Sequence, residues 1–212
     1  MGNRCLIVPK GNETIGVYLH WNGGIDSVTA FLKYCEYKGY RGFDDDYGIA
    51  RFCQVVGNWF GGGLSLGVMP INGSLEEYAK GLDNGIYIVE GWEIVDRIGN
   101  QYSPEGYDLT ETLISIDEAQ PIKEQIGKGF FSAEEVEPTD LEIGDRFYYY
   151  DALEGTYSIE TVAGLGRRYG DMIDFPYMNK YRNDCCGEKV NPNNFIREKV
   201  RRYTEEKEEK NV

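Results

Sequence analysis

The chain has 212 residues, 41% apolar and 27% charged, with a formal net charge of −14, which describes a globular protein of one ordinary domain or two small ones. No stretch approaches the roughly 18 consecutive apolar residues of a membrane helix, and Met1 to Lys10 lacks the apolar run of a signal peptide, so a cytoplasmic protein without membrane contact is expected. A single histidine, His20, excludes a two-histidine metal site. Five cysteines without a Cys-x-x-Cys pair argue against zinc and against a disulfide framework, so neither a metal nor a cofactor is expected.

In chain order, Cys5 to Val8 and Ile15 to Trp21 are apolar, β-rich runs around the turn Pro9 to Glu13, which predicts two antiparallel strands. Val28, Phe31, Leu32 and Cys35 recur at i, i+3, i+4 and i+7. They predict a helix from about Ser27 to Lys38, with Asp26 or Ser27 placed to cap it and Gly39 to end it. Ile49, Phe52, Cys53, Val56 and Phe60 repeat that spacing, for a second helix from about Tyr47 to Phe60 that Gly61 to Gly63 terminate. Leu64 to Met69, Gly85 to Val89 and Trp92 to Arg97 read as strands, the last two joined by a tight turn at Glu90 and Gly91. The order β-β-α-α-β-β-β predicts an α+β fold, a mainly antiparallel sheet with two helices on one face.

From Asn100 to Tyr107 the composition turns to Gly, Pro, Ser and polar residues, which marks a boundary between an α+β domain, 1–102, and an acidic β-rich domain, 103–212. In the latter, Asp108 to Ile116 reads as a strand or short helix, and Ser115 or Asp117 is placed to cap a helix running to about Ile126. Arg146 to Asp151 and Thr156 to Val162 predict a tyrosine-rich hairpin, with Phe147, Tyr149, Tyr157 and Ile159 candidates for one face. Gly164, Gly166, Arg167, Arg168 and Tyr169 read as a loop carrying two positive charges. Phe195, Ile196, Val200 and Tyr203, introduced by Pro192, predict a C-terminal helix. The adjacent Cys185 and Cys186 read as free thiols. Over some 25 residues the hairpin resembles the small SH3-like barrels used as accessory modules, a likeness of fold that implies no ligand.

The charge is unevenly spread. Residues 1–104, 105–160 and 161–212 carry nets of −4, −12 and +2, and Ser132 to Asp145 holds Glu134, Glu135, Glu137, Asp140, Glu142 and Asp145 without one lysine or arginine. Such a cluster repels nucleic-acid phosphates and attracts basic protein surfaces, so no direct nucleic-acid binding is expected there. It is either a solvated face or a docking surface, to which Tyr148 and Tyr150 of the hairpin add candidate aromatic anchors.

The run Gly16 to Ser27 passes from a strand through two glycines into a helix N-terminus, a geometry that favours a phosphate or carboxylate. His20, Asn22, Gly23, Gly24, Asp26 and Ser27 are therefore the candidate ligand-binding residues, with the alternative that the glycines make the turn and Asp26 caps the helix. Gly23, Gly24, Asp26 and Ser27 resemble the PP-loop of ATP pyrophosphatases, which implies a bound nucleotide or other phosphorylated small molecule. Asn22 stands where that motif has its first serine, and the preceding strand reads as half of an antiparallel pair instead of the parallel crossover the family requires. From Ile15 to Phe31 and Tyr47 to Gly62 the chain also resembles short accessory proteins of bacterial viruses and mobile elements, which implies a factor that inhibits or evades a host defence system. Together these readings favour a non-catalytic binding protein that docks acidic residues on a host protein with a basic surface, and leave a nucleotide-binding module as the alternative; the oligomeric state is open.

Overall fold

The computed structural model describes residues 2–63, 65–100, 104–151, 154–164, 167–169, 172–178, 185–190 and 199–205. Helices and sheets are mixed in an α+β architecture, and the chain divides into two compact units, 1–127 and 128–212.

Unit 1 runs β1 (Cys5–Pro9), β2 (Ile15–Leu19), α1 (Ile25–Tyr37), α2 (Asp46–Trp59), β3 (Leu66–Pro70), α3 (Leu75–Ala79), β4 (Ile86–Glu90), β5 (Glu93–Ile98) and α4 (Leu109–Glu118). Its sheet has the order β3-β2-β1-β4-β5, antiparallel except for the central pair β1 and β4, which is parallel. A parallel pair has both faces covered. On one face Leu6, Val8, Ile86 and Ile88 pack against Leu75 and Ala79 of α3. The alternate residues Cys5, Ile7, Tyr87 and Val89 are equally buried and face the other side, where the Tyr87 hydroxyl donates to the Gly23 carbonyl at the head of α1. Phe31 of α1 and Phe52 of α2 meet edge to face at 6.3 Å between ring centroids, and Phe43 closes on Phe52 at 5.2 Å.

Two features depart from the sequence expectations in this unit. The short helix α3 follows Ser74, whose hydroxyl accepts from the Glu77 amide, and supplies the apolar cover that the second sheet face needs. The division between units falls at Gly127, not near residue 102. Leu113 and Ile116 of α4 are buried, and the Asp117 carboxylate, 2% exposed, accepts from the Tyr34 hydroxyl of α1 and from the amides of Ile126 and Gly127. Asp117 thus ties the end of this segment down instead of capping a further helix, and only a 3-10 turn, Ile122–Glu124, follows. The polar stretch at 100–107 is a loop within the unit.

Unit 2 contains α5 (Lys128–Ser132), β6 (Glu135–Val136), β7 (Arg146–Asp151), β8 (Thr156–Val162), β9 (Arg167–Tyr169), β10 (Met172–Met178), β11 (Cys185–Val190) and β12 (Val200–Tyr203). The strands form an antiparallel sheet in the order β11-β10-β8-β7-β12-β6, with β9 paired to β10. The hairpin β7–β8 has the expected bounds. Its register pairs Tyr150 with Tyr157 and Tyr148 with Ile159, so Tyr157 and Ile159 lie on the face opposite Phe147 and Tyr149. Phe147 and Tyr149 pack instead with Val136, Leu141, Val162 and Tyr177. Val200–Tyr203 is a strand between β7 and β6 and not part of a helix, because its backbone pairs with residues more than 50 positions away. Phe195 and Ile196 of that expected helix, and Gly166 of the expected basic loop, lie outside the described residues, while Arg167–Tyr169 of that loop form β9. No helix among the described residues is long and apolar enough to cross a membrane.

The close seat of α2 is directly testable. A Cβ at Gly48 would stand 1.9 Å from the Gly42 carbonyl oxygen and 2.4 Å from that of Arg41, whereas at Gly57, in the same helix, it meets only Leu66 at 3.7 Å. Gly48→Ala is expected to cost roughly 3 kcal/mol in urea denaturation, and Gly57→Ala to add up to about 1 kcal/mol through helix propensity.

Candidate functional site

His20, Asn22, Gly23, Gly24, Asp26 and Ser27 come together where β2 passes into α1. The strand continues past Leu19 through the His20 amide, which donates to the Ser65 carbonyl, and the Trp21 amide, which donates to the Ser65 hydroxyl. Asn22 then adopts a left-handed conformation, φ +54°, that turns the chain inward. Gly23 has no room for a side chain: a Cβ there would stand 2.5 Å from the Asn3 carbonyl oxygen and 2.8 Å from the Cys5 nitrogen. The glycine therefore serves the approach of the turn to β1, and the Gly23 amide donates to Asn3.

Gly24, not Asp26 or Ser27, is the N-cap of α1, and no side chain caps that end. Asp26 instead accepts from the amides of Gly106 at 2.7 Å and Tyr107 at 3.1 Å, holding the segment ahead of α4 against the helix head. That segment carries Glu105. Its carboxylate accepts from the Asn3 side-chain amide and, at 3.5 Å, from the hydroxyl of Ser27, which is 2% exposed; a Cβ on Gly24 would meet the same carboxylate at 3.0 Å. The place that the sequence marks for an external anion thus holds one of the chain's own. Glu105 is exposed as a residue, but partial desolvation of its carboxyl, and then the charge of Asp26, push that carboxyl above its ordinary value, against the opposing pull of hydrogen bonds from Ser27, Asn3 and Tyr107. Beneath the turn, Arg97 stacks on Tyr87 at 4.6 Å and donates to the Tyr87 hydroxyl and the Asn84 carbonyl.

His20 receives or donates one hydrogen bond, 3.0 Å between Nδ1 and the Tyr18 hydroxyl, and its ring meets Trp21 edge to face at 5.0 Å. A general base oriented by a carboxylate is not built here. Burial raises the thiols of Cys5 and Cys35 far above their ordinary range, and that of Cys53 to about 11, so these three stay protonated at neutral pH. The side chains of Cys185 and Cys186 lie outside the described residues. Among the described residues no group of three or more His, Cys, Asp or Glu is placed to hold a metal ion.

Beside the turn lies a cleft of about 300 Å³ between the head of α1, the end of α2 and the first turns of α4. Asn22, Ser27, Phe31, Trp59, Tyr107 and Glu111 are among its lining residues. The Trp59 indole nitrogen donates to the Ser115 hydroxyl at 3.1 Å, and its ring packs on Phe31 at 5.2 Å. The glycines after α2 terminate it as expected, Gly61 at φ +60°, and Trp59 packs toward α1 and α4. Sequence reasoning missed the contributions of Glu105, Tyr107 and Glu111. The signal was present in Asp108-x-x-Glu111, a helix-start pattern, and Asp108 does cap α4 through the Glu111 amide.

In unit 2 the six acids of 134–145 fare differently. Arg201 pairs with Glu135 at 3.0 Å and also donates to the carbonyls of Phe130, Phe131 and Ala133. Arg202 stands 3.8 Å from Asp145, and Glu137 is half-buried. Glu134, Asp140 and Glu142 are exposed, and their carboxylates have no partner among the described residues; Ile143, next to Glu142 in the chain, is 66% exposed. Tyr148 and Tyr150 are half-buried in an aromatic group, Tyr148 on Phe130 at 5.4 Å and Tyr150 on Tyr157 at 5.2 Å, so much of each ring is already packed.

Comparison with known families, with curated proteins and with solved structures finds no match to this chain.

Because the carboxyl of Glu105 titrates above its ordinary value in the folded chain, the folded state binds more protons there than the unfolded one, and stability falls as pH rises from the ordinary carboxylate range through the folded value. Glu105→Gln removes this penalty. Thermal denaturation across pH 4 to 7 should show the variant gaining on the wild type as pH rises, and an identical pH profile for the two would contradict the placement of the Glu105 carboxylate beside Asp26.

Proposed function

We propose that this is a non-catalytic binding protein that recognises a basic partner, in keeping with an accessory factor that blocks a host defence protein. The observation that carries the reading is in unit 2, where Glu134, Asp140 and Glu142 are exposed with no counter-ion among the described residues and Ile143, next to Glu142 in the chain, is exposed as well. Carboxylates that are neither paired nor hydrogen-bonded keep their full field for an approaching cation, and an apolar residue among them adds desolvated contact area. Arg201 and Arg202 neutralise Glu135 and Asp145, so the recognition surface is smaller than the run of six acids.

A phosphate at the glycine turn would have to displace Glu105 and lie beside Asp26, a repulsion that weighs against the nucleotide reading.

Binding of the full chain to an immobilised arginine-rich peptide is expected to weaken steadily with added salt. The triple variant Glu134→Gln, Asp140→Asn, Glu142→Gln should bind about tenfold more weakly. Glu13→Gln, Glu76→Gln, Glu93→Gln, an equal change of charge at exposed acids of unit 1, should have little effect. Equal losses in both triples, or binding insensitive to salt, would overturn the assignment of these acids.

A further inference from the structure

The cleft in unit 1 combines three features that act on a ligand in the same sense. Its lining includes three aromatic residues, Phe31, Trp59 and Tyr107, of which Phe31 is fully buried and Tyr107 is 49% exposed. The polar edge of Trp59 is spent on Ser115, which leaves the ring to act as an apolar and π-bearing surface. None of the residues lining the cleft is basic, while Asp108 and Glu111 both line it. Asp108 is engaged in capping α4, but the Glu111 carboxylate is exposed and has no partner among the described residues. Asp26, which accepts from the Tyr107 amide, and Glu105 lie near Tyr107 and add to the negative potential.

We infer that this cleft binds an organic cation, a guanidinium or alkylammonium group whose charge meets Glu111 and whose stem lies against Trp59 and Tyr107. A cation over an aromatic face gains from the ring quadrupole, and the gain grows when the site is partly desolvated, as it is above the buried Phe31. The volume, about 300 Å³, suits a single side chain or a small amine and lies at the lower limit of ligand pockets. Phosphorylated ligands are repelled by the same carboxylates. The charged group has two sources, a free small molecule or an arginine or lysine side chain of a bound protein. This inference rests on the cleft alone and is independent of the acids of unit 2.

Titration of the full chain with agmatine, and separately with a short peptide containing one arginine between glycines and serines, tests the assignment. The readouts are calorimetry and the Trp59 indole N–H resonance, assigned with Trp21→Phe and Trp92→Phe. At least one probe should bind and shift that resonance. Glu111→Gln and Tyr107→Leu should each weaken binding about tenfold with unchanged circular dichroism, whereas Glu93→Gln should not. Binding of agmatine identifies a free cation as sufficient, and binding of the peptide alone identifies a partner's side chain; both support the inference. No binding of either probe, wild-type affinity in Glu111→Gln, or a Trp59 shift produced by adenosine monophosphate instead would overturn it.

Discussion

Unit 1 is organised by one strand. β1 is apolar at every position from Cys5 to Pro9, buried throughout, and paired in parallel with β4, so it needs cover on both faces and a crossover that spans most of the unit. The register of that parallel pair is held at its entry, where the Leu6 amide donates to Gly85 and Arg4 donates both its amide and its guanidinium to Asp83. Arg4 keeps the Asp83 carboxyl down at about 2. The Gly23 turn is a consequence of the same packing. Chain that returns from β2 to start α1 must pass the entry of β1 at backbone contact distance, and only a residue without a Cβ does so. What resembles a phosphate-binding loop is therefore a packing solution for a strand that has no free face.

That solution has an electrostatic consequence. A helix that starts at a glycine has no side chain of its own to satisfy its first amides, and the positive end of its dipole faces whatever lies above. Here Glu105 is drawn into that position, and Asp26, freed from capping, fixes Gly106 and Tyr107 by their amides. The energy of placing two carboxylates close together is spent on laying one loop across the helix head. The loop in turn brings Tyr107 and Asp108 to the side of Trp59, so the cleft exists because the turn is filled from within.

Much of this was legible in the sequence, for reasons that differ by element. α1 and α2 were readable because Val28, Phe31, Leu32 and Cys35, and Ile49, Phe52 and Val56, carry the helical period on faces that are in fact buried. The hairpin β7–β8 was readable because its partners are adjacent in the chain. β12 was not: Val200 to Tyr203 gains its strand conformation from Arg146 to Tyr148 and Glu135 to Val136, and no local pattern encodes so distant a pairing. The faces of the hairpin were misassigned for a related reason, since the register set by the turn decides which tyrosine opposes which, and a one-residue change inverts every side. At the candidate site, the residue types were visible but their counterparts were not. Glu105 is 78 residues from Ser27 and 102 from Asn3, and it lies in a stretch whose composition reads as linker.

The same distinction governs the charge. Counted along the chain, the acids of 105–160 form one block, but the fold divides it: unit 1 carries 18 acidic and 9 basic side chains and unit 2 carries 18 and 13. The late cations of unit 2 return to the block through β12, where Arg201 and Arg202 quench Glu135 and Asp145. Glu160, almost wholly buried, has one oxygen bonded to Ser158 and is withdrawn from the surface altogether. In unit 1 the carboxylates of Asp117, Asp26 and Glu105 are consumed as acceptors for the chain's own donors. Net charge therefore overstates what a partner meets. Exposed carboxylates without a partner among the described residues include Glu111 at the cleft and Glu134, Asp140 and Glu142 of unit 2, as well as Glu13, Glu76 and Glu93; Glu111 shares its cleft with the exposed Tyr107, and Glu142 precedes the exposed Ile143 in the chain. An exposed charge next to an uncovered apolar group is matched by a ligand that is cationic at one end and apolar along its stem, which is the chemistry proposed for both places.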